Sequence, residues 1–159
     1  QNESRRTMLT AGTRSVPVLR SVAAAVAVMD EPPVKSRAVI EIPPSTISTR
    51  RARHFVRMNC IRWQVPELVT DAMTIVTSLV ENTLLHTCSS ALLRMELSGN
   101  ELALAVTDDD PAPAILRERA EGGVGPSGLL LVSAIATVWG CTPTLTGGKT
   151  VWAVLRSQS

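Results

Sequence analysis

Thr74-Ile-Val-Thr-Ser78-Leu-Val-Glu-Asn82-Thr-Leu-Leu-His86 is the stretch of sequence that decides the interpretation of this chain. Its polar side chains recur at intervals of four residues, at Thr74, Ser78, Asn82 and His86. Residues at that interval lie on one face of an α-helix. Most of the other positions are apolar, so the stretch predicts a helix that packs against a core and carries a polar stripe beside its buried face. Such a stripe either meets solvent or lines a polar site, and this helix alone leaves both interpretations open.

The composition is that of an ordinary globular protein. The chain has 159 residues, 45% hydrophobic and 19% charged, which fits one domain with a sizeable core. Its net charge of +2 is too small to indicate a nucleic-acid or membrane partner, and one Phe, three Trp and no Tyr argue against a base-stacking platform. The cysteines, Cys60, Cys88 and Cys141, are widely spaced, so we predict reduced thiols in a cytoplasmic protein.

Residues 1–36 are rich in Arg, Ser and Pro and predict an N-terminal extension or linker. The apolar stretch Val16–Met29 follows two arginines, as the core of a signal peptide does. However, Arg20 interrupts it, no cleavage site of small residues follows, and it is too short to span a bilayer. We interpret it as a short Ala-rich helix or as the remnant of a preceding domain, and we expect no membrane association.

Residues 37–156 predict one α+β domain, followed by a tail of residues 157–159. Alternating apolar residues predict strands at Ala38–Ile42, Leu92–Leu97, Glu101–Val106, Thr144–Leu145 and Thr150–Leu155. Helical spacing predicts a first helix from a cap at Ser45 or Ser48 to about Arg62, a second from Pro66–Asp71 to about Cys88, and a third at Gly128–Ala136. Together these elements predict an antiparallel sheet covered on one face by helices.

Three polar features are candidates for chemistry: Asn82, Asp108 at the end of a strand, and the glycine-rich stretch Gly122–Gly128 before an apolar helix. The carboxylate of Asp108 either stabilises a turn or accepts a hydrogen bond from an exocyclic amine such as that of adenine. The glycine-rich stretch is either a flexible loop or a cradle of backbone N–H groups for phosphates. Gly147-Gly-Lys-Thr150 resembles the end of a Walker motif, but it leads into a strand, so we reject that interpretation.

Taken in order, these features resemble the nucleotide-binding boxes of the histidine-kinase-like ATPase superfamily. The matching stretches are Asn82 with His86, Asp108 followed by Pro111 and Pro113, Gly128-Leu-Leu-Leu-Val132 leading to Val138-Trp-Gly140, and Gly148-Lys-Thr-Val-Trp152. They resemble most closely the actinobacterial branch of stand-alone anti-sigma-factor serine kinases. The resemblance covers about residues 36–156 and implies a Bergerat-type two-layer α/β sandwich with a mixed, largely antiparallel sheet.

The resemblance implies a site for ATP and Mg²⁺. The residues that it places in the site are Asn82, His86, Asp108, Gly125, Gly128, Leu129 and Thr150. Asn82 would ligate Mg²⁺ through its side-chain carbonyl, a role that suits an amide oxygen. Asp108 would accept from the adenine amine, the glycines would let the lid backbone approach the phosphates, and Thr150 would line the pocket from the last strand.

Two positions depart from the family pattern. The family usually has Glu four residues before the metal-binding Asn, where this chain has Ser78, and Pro126 takes the place of the first lid glycine. A neutral hydroxyl is not a useful base near pH 7. No catalytic residue is therefore assigned. The sequence leaves open a serine/threonine-protein kinase, a non-catalytic nucleotide-responsive interaction module, and a scaffold without a nucleotide site.

The resemblance also implies protein partners. It implies control of transcription through a sigma factor or its antagonist, an anti-anti-sigma protein of the STAS type, and it implies a homodimer. A row of arginines on the first predicted helix, Arg50, Arg53 and Arg57, is either solvated or meets an acidic partner.

Overall fold

The computed structural model describes residues 7–11, 14–19, 36–112 and 128–158. The strands in these residues are β1 (Thr7–Ala11), β2 (Arg14–Leu19), β3 (Ser36–Ile42), β4 (Ala91–Ser98), β5 (Glu101–Asp108), β6 (Val138–Pro143) and β7 (Lys149–Arg156). The helices are α1 (Ser48–Arg62), α2 (Val69–His86), which follows a 3₁₀ turn at Pro66–Leu68, and α3 (Gly128–Ile135). The α+β class predicted from the sequence is confirmed.

Strands β3 to β7 form one antiparallel sheet with the order β3-β4-β5-β7-β6. Strand β7, the last in the chain, therefore lies between β5 and β6. Strands β1 and β2 pair with each other as a separate antiparallel hairpin, and both lie close to β6. No parallel pair occurs among the strands that the structure describes, so the mixed component of the predicted sheet is absent from them.

The core lies between the sheet and the helices because side chains along a strand point alternately to the two faces. The fully buried side chains on the helix-facing side of the sheet include Leu93, Met95, Leu102, Leu104 and Val151. Helix α2 packs Ile75, Val76 and Leu79 into the same cluster. The apolar stripe predicted on this helix therefore faces the core.

Helix α2 also explains a candidate membrane span. The segment Pro66–Leu85 is long and apolar enough to cross a bilayer by length and composition. The side chains of Ile75 and Leu79 in this segment are instead buried inside the domain, whereas Leu85 at its end is exposed. The core helix of a globular protein passes the same test, so this segment does not indicate a membrane protein.

The strand predicted at Thr144–Leu145 is wrong, because these residues form the turn between β6 and β7. The backbone N–H of Thr144 donates to the carbonyl of Gly148 at 2.9 Å, and the side chain of Leu145 is fully exposed. The strand that pairs with β7 lies earlier, at Val138–Pro143, where Trp139 is buried. The predicted strand therefore begins too late along the chain.

Neither serine caps α1 in the predicted way. Ile47 occupies the N-cap position, and its apolar side chain makes no capping hydrogen bond. Ser48 is fully buried; its hydroxyl donates to the carbonyl of Pro43 and accepts from the backbone N–H of Ser45. The two serines therefore hold the corner between β3 and α1.

The predicted helix over Val16–Met29 is wrong at its start, because residues 16–19 belong to β2. Valines in this segment suit the extended backbone of a strand. Residues 20–35, which contain the rest of the predicted helix, lie outside the described residues. The division into extension, domain and tail stays a prediction.

Candidate functional site

Ser78 and Gly128 meet where α2 packs against the start of α3. Ser78 is 4% exposed, and its hydroxyl donates to the carbonyl of Thr74 at 3.2 Å. A Cβ added to Gly128 would lie 3.2 Å from the Cβ of Ser78 and 3.4 Å from its Cα. Glycine at this position lets the two helices approach closely. The structure thus brings together the residue at the expected Glu position and a glycine of the predicted lid.

Asn82 lies one turn further along α2 and carries an unpaired amide nitrogen. Its Nδ2 atom is buried and has no hydrogen-bond partner among the residues that the structure describes. A buried polar group without a partner costs about 1–3 kcal/mol, so its presence calls for an explanation. A flip of the amide exchanges its nitrogen and oxygen, so the same position can present an acceptor. An amide of this kind fits a site for a cation and its phosphate ligands.

Asp108 ends β5 at the centre of a buried polar cluster. Its Oδ2 accepts from the hydroxyl of Thr83 at 3.1 Å. Its Oδ1 accepts from Lys149 Nζ and from the backbone N–H of Asp110, both at 3.0 Å. Lys149 Nζ also donates to Asp110 Oδ2 at 3.1 Å. The side chains of Asp108 and Lys149 are 0% and 2% exposed, so this ion pair is screened from water.

The pairing of β5 with β7 explains the position of Lys149. Asp108 and Lys149 are register partners, and their side chains point to the helix-covered face of the sheet. Gly148 makes this approach possible, since a Cβ there would lie 2.0 Å from the carbonyl oxygen of Asp108. Thr83, the residue that follows Asn82 on α2, donates its hydroxyl to Asp108. Neither Thr83 nor Lys149 is among the site residues predicted from the sequence.

Thr150 and Asp108 are not brought together. Thr150 follows Lys149 on β7, so its side chain points to the opposite face of the sheet. Its Oγ1 lies 2.7 Å from Oγ1 of Thr107, its register partner on β5. Leu129 is buried in the hydrophobic core at the start of α3.

Two predicted residues are described only in part or not at all. His86 is the last residue of α2, but the position of its side chain is outside what the structure describes. Gly125 lies in residues 113–127, which are outside the described residues altogether. Within the described ranges, no group of three or more His, Cys, Asp or Glu side chains is placed to hold a metal ion.

Asp109 joins the end of β5 to the residues after α2. Its carboxylate accepts hydrogen bonds from the hydroxyls of Ser89 and Thr87. These two bonds lower the pKa of Asp109, the one from Ser89 most, and the charge of Lys149 adds to the effect. The segment between α2 and β4 is therefore held against the end of the strand that carries Asp108.

The layers and strand order place this domain in a known fold class. Its α+β sandwich is consistent with the histidine-kinase-like ATPase fold that the sequence resemblance implied. No protein-family model matches the chain, and no curated protein matches its sequence.

Among solved structures, the chain is similar to the crystal structure of the RsbU and RsbW domains of Rv1364c from Mycobacterium tuberculosis, where it matches the RsbW domain. The TM-score is 0.56 at 18% identity. The match covers 77% of this chain and 32% of the solved one. The resemblance inferred from the sequence is thus confirmed at the level of the fold.

Proposed function

We propose that this chain is an ATP-binding regulatory domain of the anti-sigma-factor kinase type. The observation that carries the proposal is the buried Nδ2 atom of Asn82, which has no partner within the described residues. It lies one turn from the contact between Ser78 and Gly128, in an RsbW-like fold. A Mg²⁺ ion bound with ATP would neutralise phosphate charge there. Asn82 would hold that ion, and the start of α3 would face the phosphates.

The residues of the site favour binding over phosphoryl transfer. Ser78 is a neutral hydroxyl, and its proton is already donated to the carbonyl of Thr74. A positioned acid or base typically contributes about 10²–10⁴-fold to a rate, and Ser78 supplies neither. We therefore propose slow or absent transfer, with ATP acting as a ligand that changes affinity for a protein partner. Transfer of phosphate from Mg-ATP to a serine of an antagonist protein would contradict this part of the proposal.

Helix α1 supports a protein partner with an acidic surface. Arg50, Arg53 and Arg57 are exposed, and the helix contains no Asp or Glu. Met58 and Ile61 are each about half exposed on the same helix. Positive charge beside apolar side chains suits a protein–protein contact better than free solvent does. A sigma factor or a STAS-type antagonist is the partner we propose, and the homodimer and the cytoplasmic location stay predictions.

A titration with ATP, with and without Mg²⁺, tests the nucleotide site. We expect Mg-ATP to raise the melting temperature, since a ligand stabilises only the state that it binds. Asn82→Ala should abolish this rise. Asn59→Ala is the matched control, because the amide of Asn59 is on α1 and donates to its own helix at the carbonyl of Phe55. A wild-type protein that shows no response to Mg-ATP would sink the proposed function.

A further inference from the structure

We infer that Lys149 acts as an internal competitor of the nucleotide base. Its ammonium group forms an ion pair with the carboxylate of Asp108. This carboxylate is the acceptor that the amine of adenine would otherwise use. The inference rests on the proposed function, because it concerns the base end of the same site. Lys149 would then determine whether the base is recognised. The inference concerns only this end of the site and says nothing new about the phosphate end at Asn82.

Most of the acceptor capacity of Asp108 is already used. A carboxylate offers about four acceptor positions on its two oxygens. The hydroxyl of Thr83, the Nζ of Lys149 and the backbone N–H of Asp110 occupy three of them, and both positions on Oδ1 are taken. The side chain of Asp108 is also 0% exposed. An incoming amine therefore has no free path to this carboxylate while Lys149 stays in place.

The competition favours Lys149 because its group is charged. The ammonium of Lys149 attracts the carboxylate by its charge as well as by its hydrogen bond, whereas the neutral amine of adenine offers the hydrogen bond alone. Lys149 is held a second time, by the carboxylate of Asp110 at 3.1 Å. Displacing Lys149 would move a nearly buried cation away from two anions. We conclude that the wild-type site holds the triphosphate of ATP without reading the amine.

Two nucleotides that differ only at the amine test this inference. ATP and purine riboside triphosphate share the sugar and the phosphates, but the second lacks the exocyclic amine. Binding of each, and of inorganic triphosphate, is measured with Mg²⁺ by calorimetry. The wild-type protein should bind both nucleotides with equal affinity, within about twofold, because Lys149 occupies the acceptor.

Lys149→Met keeps an unbranched side chain, one atom shorter, and removes its charge. This variant should bind ATP about tenfold more tightly than purine riboside triphosphate, since about 1.4 kcal/mol corresponds to a factor of ten. Lys149→Arg is the matched control, since it keeps the cation and should show no preference. Circular dichroism at the temperature of the titration establishes that each variant is folded.

Each outcome decides the question. A wild-type protein that prefers ATP by more than about twofold overturns the inference alone, and this comparison does not depend on the folding of any variant. A folded Lys149→Met variant without a preference for ATP also overturns it. If neither nucleotide nor inorganic triphosphate binds to the wild-type protein or to the variants, the proposed function fails, and the inference fails with it.

Discussion

The two ends of the candidate site differ in how their polar groups are satisfied. At the helix end, the Nδ2 atom of Asn82 is buried without a partner in the described part of the chain. At the strand end, Asp108 has three donors and lies in a buried ion pair. The two ends meet on α2, where Asn82 and Thr83 are consecutive residues. A polar group satisfied within the protein supports the fold, whereas an unsatisfied one costs stability and is available to a ligand.

The largest expected effect comes from breaking the strand end. Lys149→Met leaves the carboxylate of Asp108 buried without its cation, and removal of one partner of a buried pair costs about 3–5 kcal/mol. Urea denaturation measures this loss in the free energy of unfolding. Lys149→Met combined with Asp108→Leu should recover most of it, because no buried charge remains. A single variant as stable as the double variant would show that the pair contributes little.

Gly148→Ala should be the next most damaging change. Its Cβ would lie 2.0 Å from the carbonyl oxygen of Asp108, so β7 or the end of β5 must move. Overpacking of this kind typically costs about 1–3 kcal/mol. Gly99→Ala is the control, since Gly99 has φ of +59° but nothing within 4 Å of an added Cβ. Thermal unfolding should show a smaller loss for the control; equal losses would contradict a steric role for Gly148.

At the helix end, we expect a smaller effect. Asn82→Ala removes an amide that has no partner, so the gain from losing a buried polar group offsets the lost packing. The free energy of unfolding should change by less than about 1 kcal/mol. Asn59→Ala, which breaks a hydrogen bond of 2.9 Å to Phe55, should cost about 1 kcal/mol. A larger loss in Asn82→Ala than in Asn59→Ala would mean that Asn82 supports the fold.

The smallest expected effect lies in the acid range, at Asp109. Its pKa is lowered in the folded state by hydrogen bonds from Ser89 and Thr87. The stability that it contributes is therefore present above the unfolded pKa of about 3.9 and is lost as the pH falls through the lower folded pKa. Asp109→Asn should flatten this part of the curve of melting temperature against pH. An unchanged curve would show that these bonds do not favour the charged carboxylate.

The elements could be predicted from the sequence where one local pattern decided them. Apolar residues at helical spacing placed α2 and α3 almost at their observed bounds, and alternation placed β4 and β5. Strand β6 is missed because Thr144 and Leu145, which belong to the turn after it, are assigned to a strand in its place. Periodicity shows which face of an element is apolar, but a turn of polar residues leaves its ends ambiguous.

The contents of the site could be predicted only in part. Asn82 and Asp108 could be named from their boxes, but the partner of Asp108 is 41 residues away on β7. Its identity depends on the register between β5 and β7, because a shift by one residue would turn Thr150 toward Asp108 and Lys149 away. Local sequence patterns do not determine that register. Thr150 is predicted to line the pocket because it lies in the last of the matching stretches. The alternation of side chains along β7 instead turns it to the face of the sheet opposite Asp108.

The position of β7 between β5 and β6 has a consequence for synthesis of the protein on the ribosome. A nascent chain that has emerged only as far as β6 holds Asp108 without its cation and leaves the facing edges of β5 and β6 unpaired. Unpaired edges invite association with other chains. The domain should therefore complete its folding only after β7 has left the exit tunnel, as one cooperative unit rather than strand by strand.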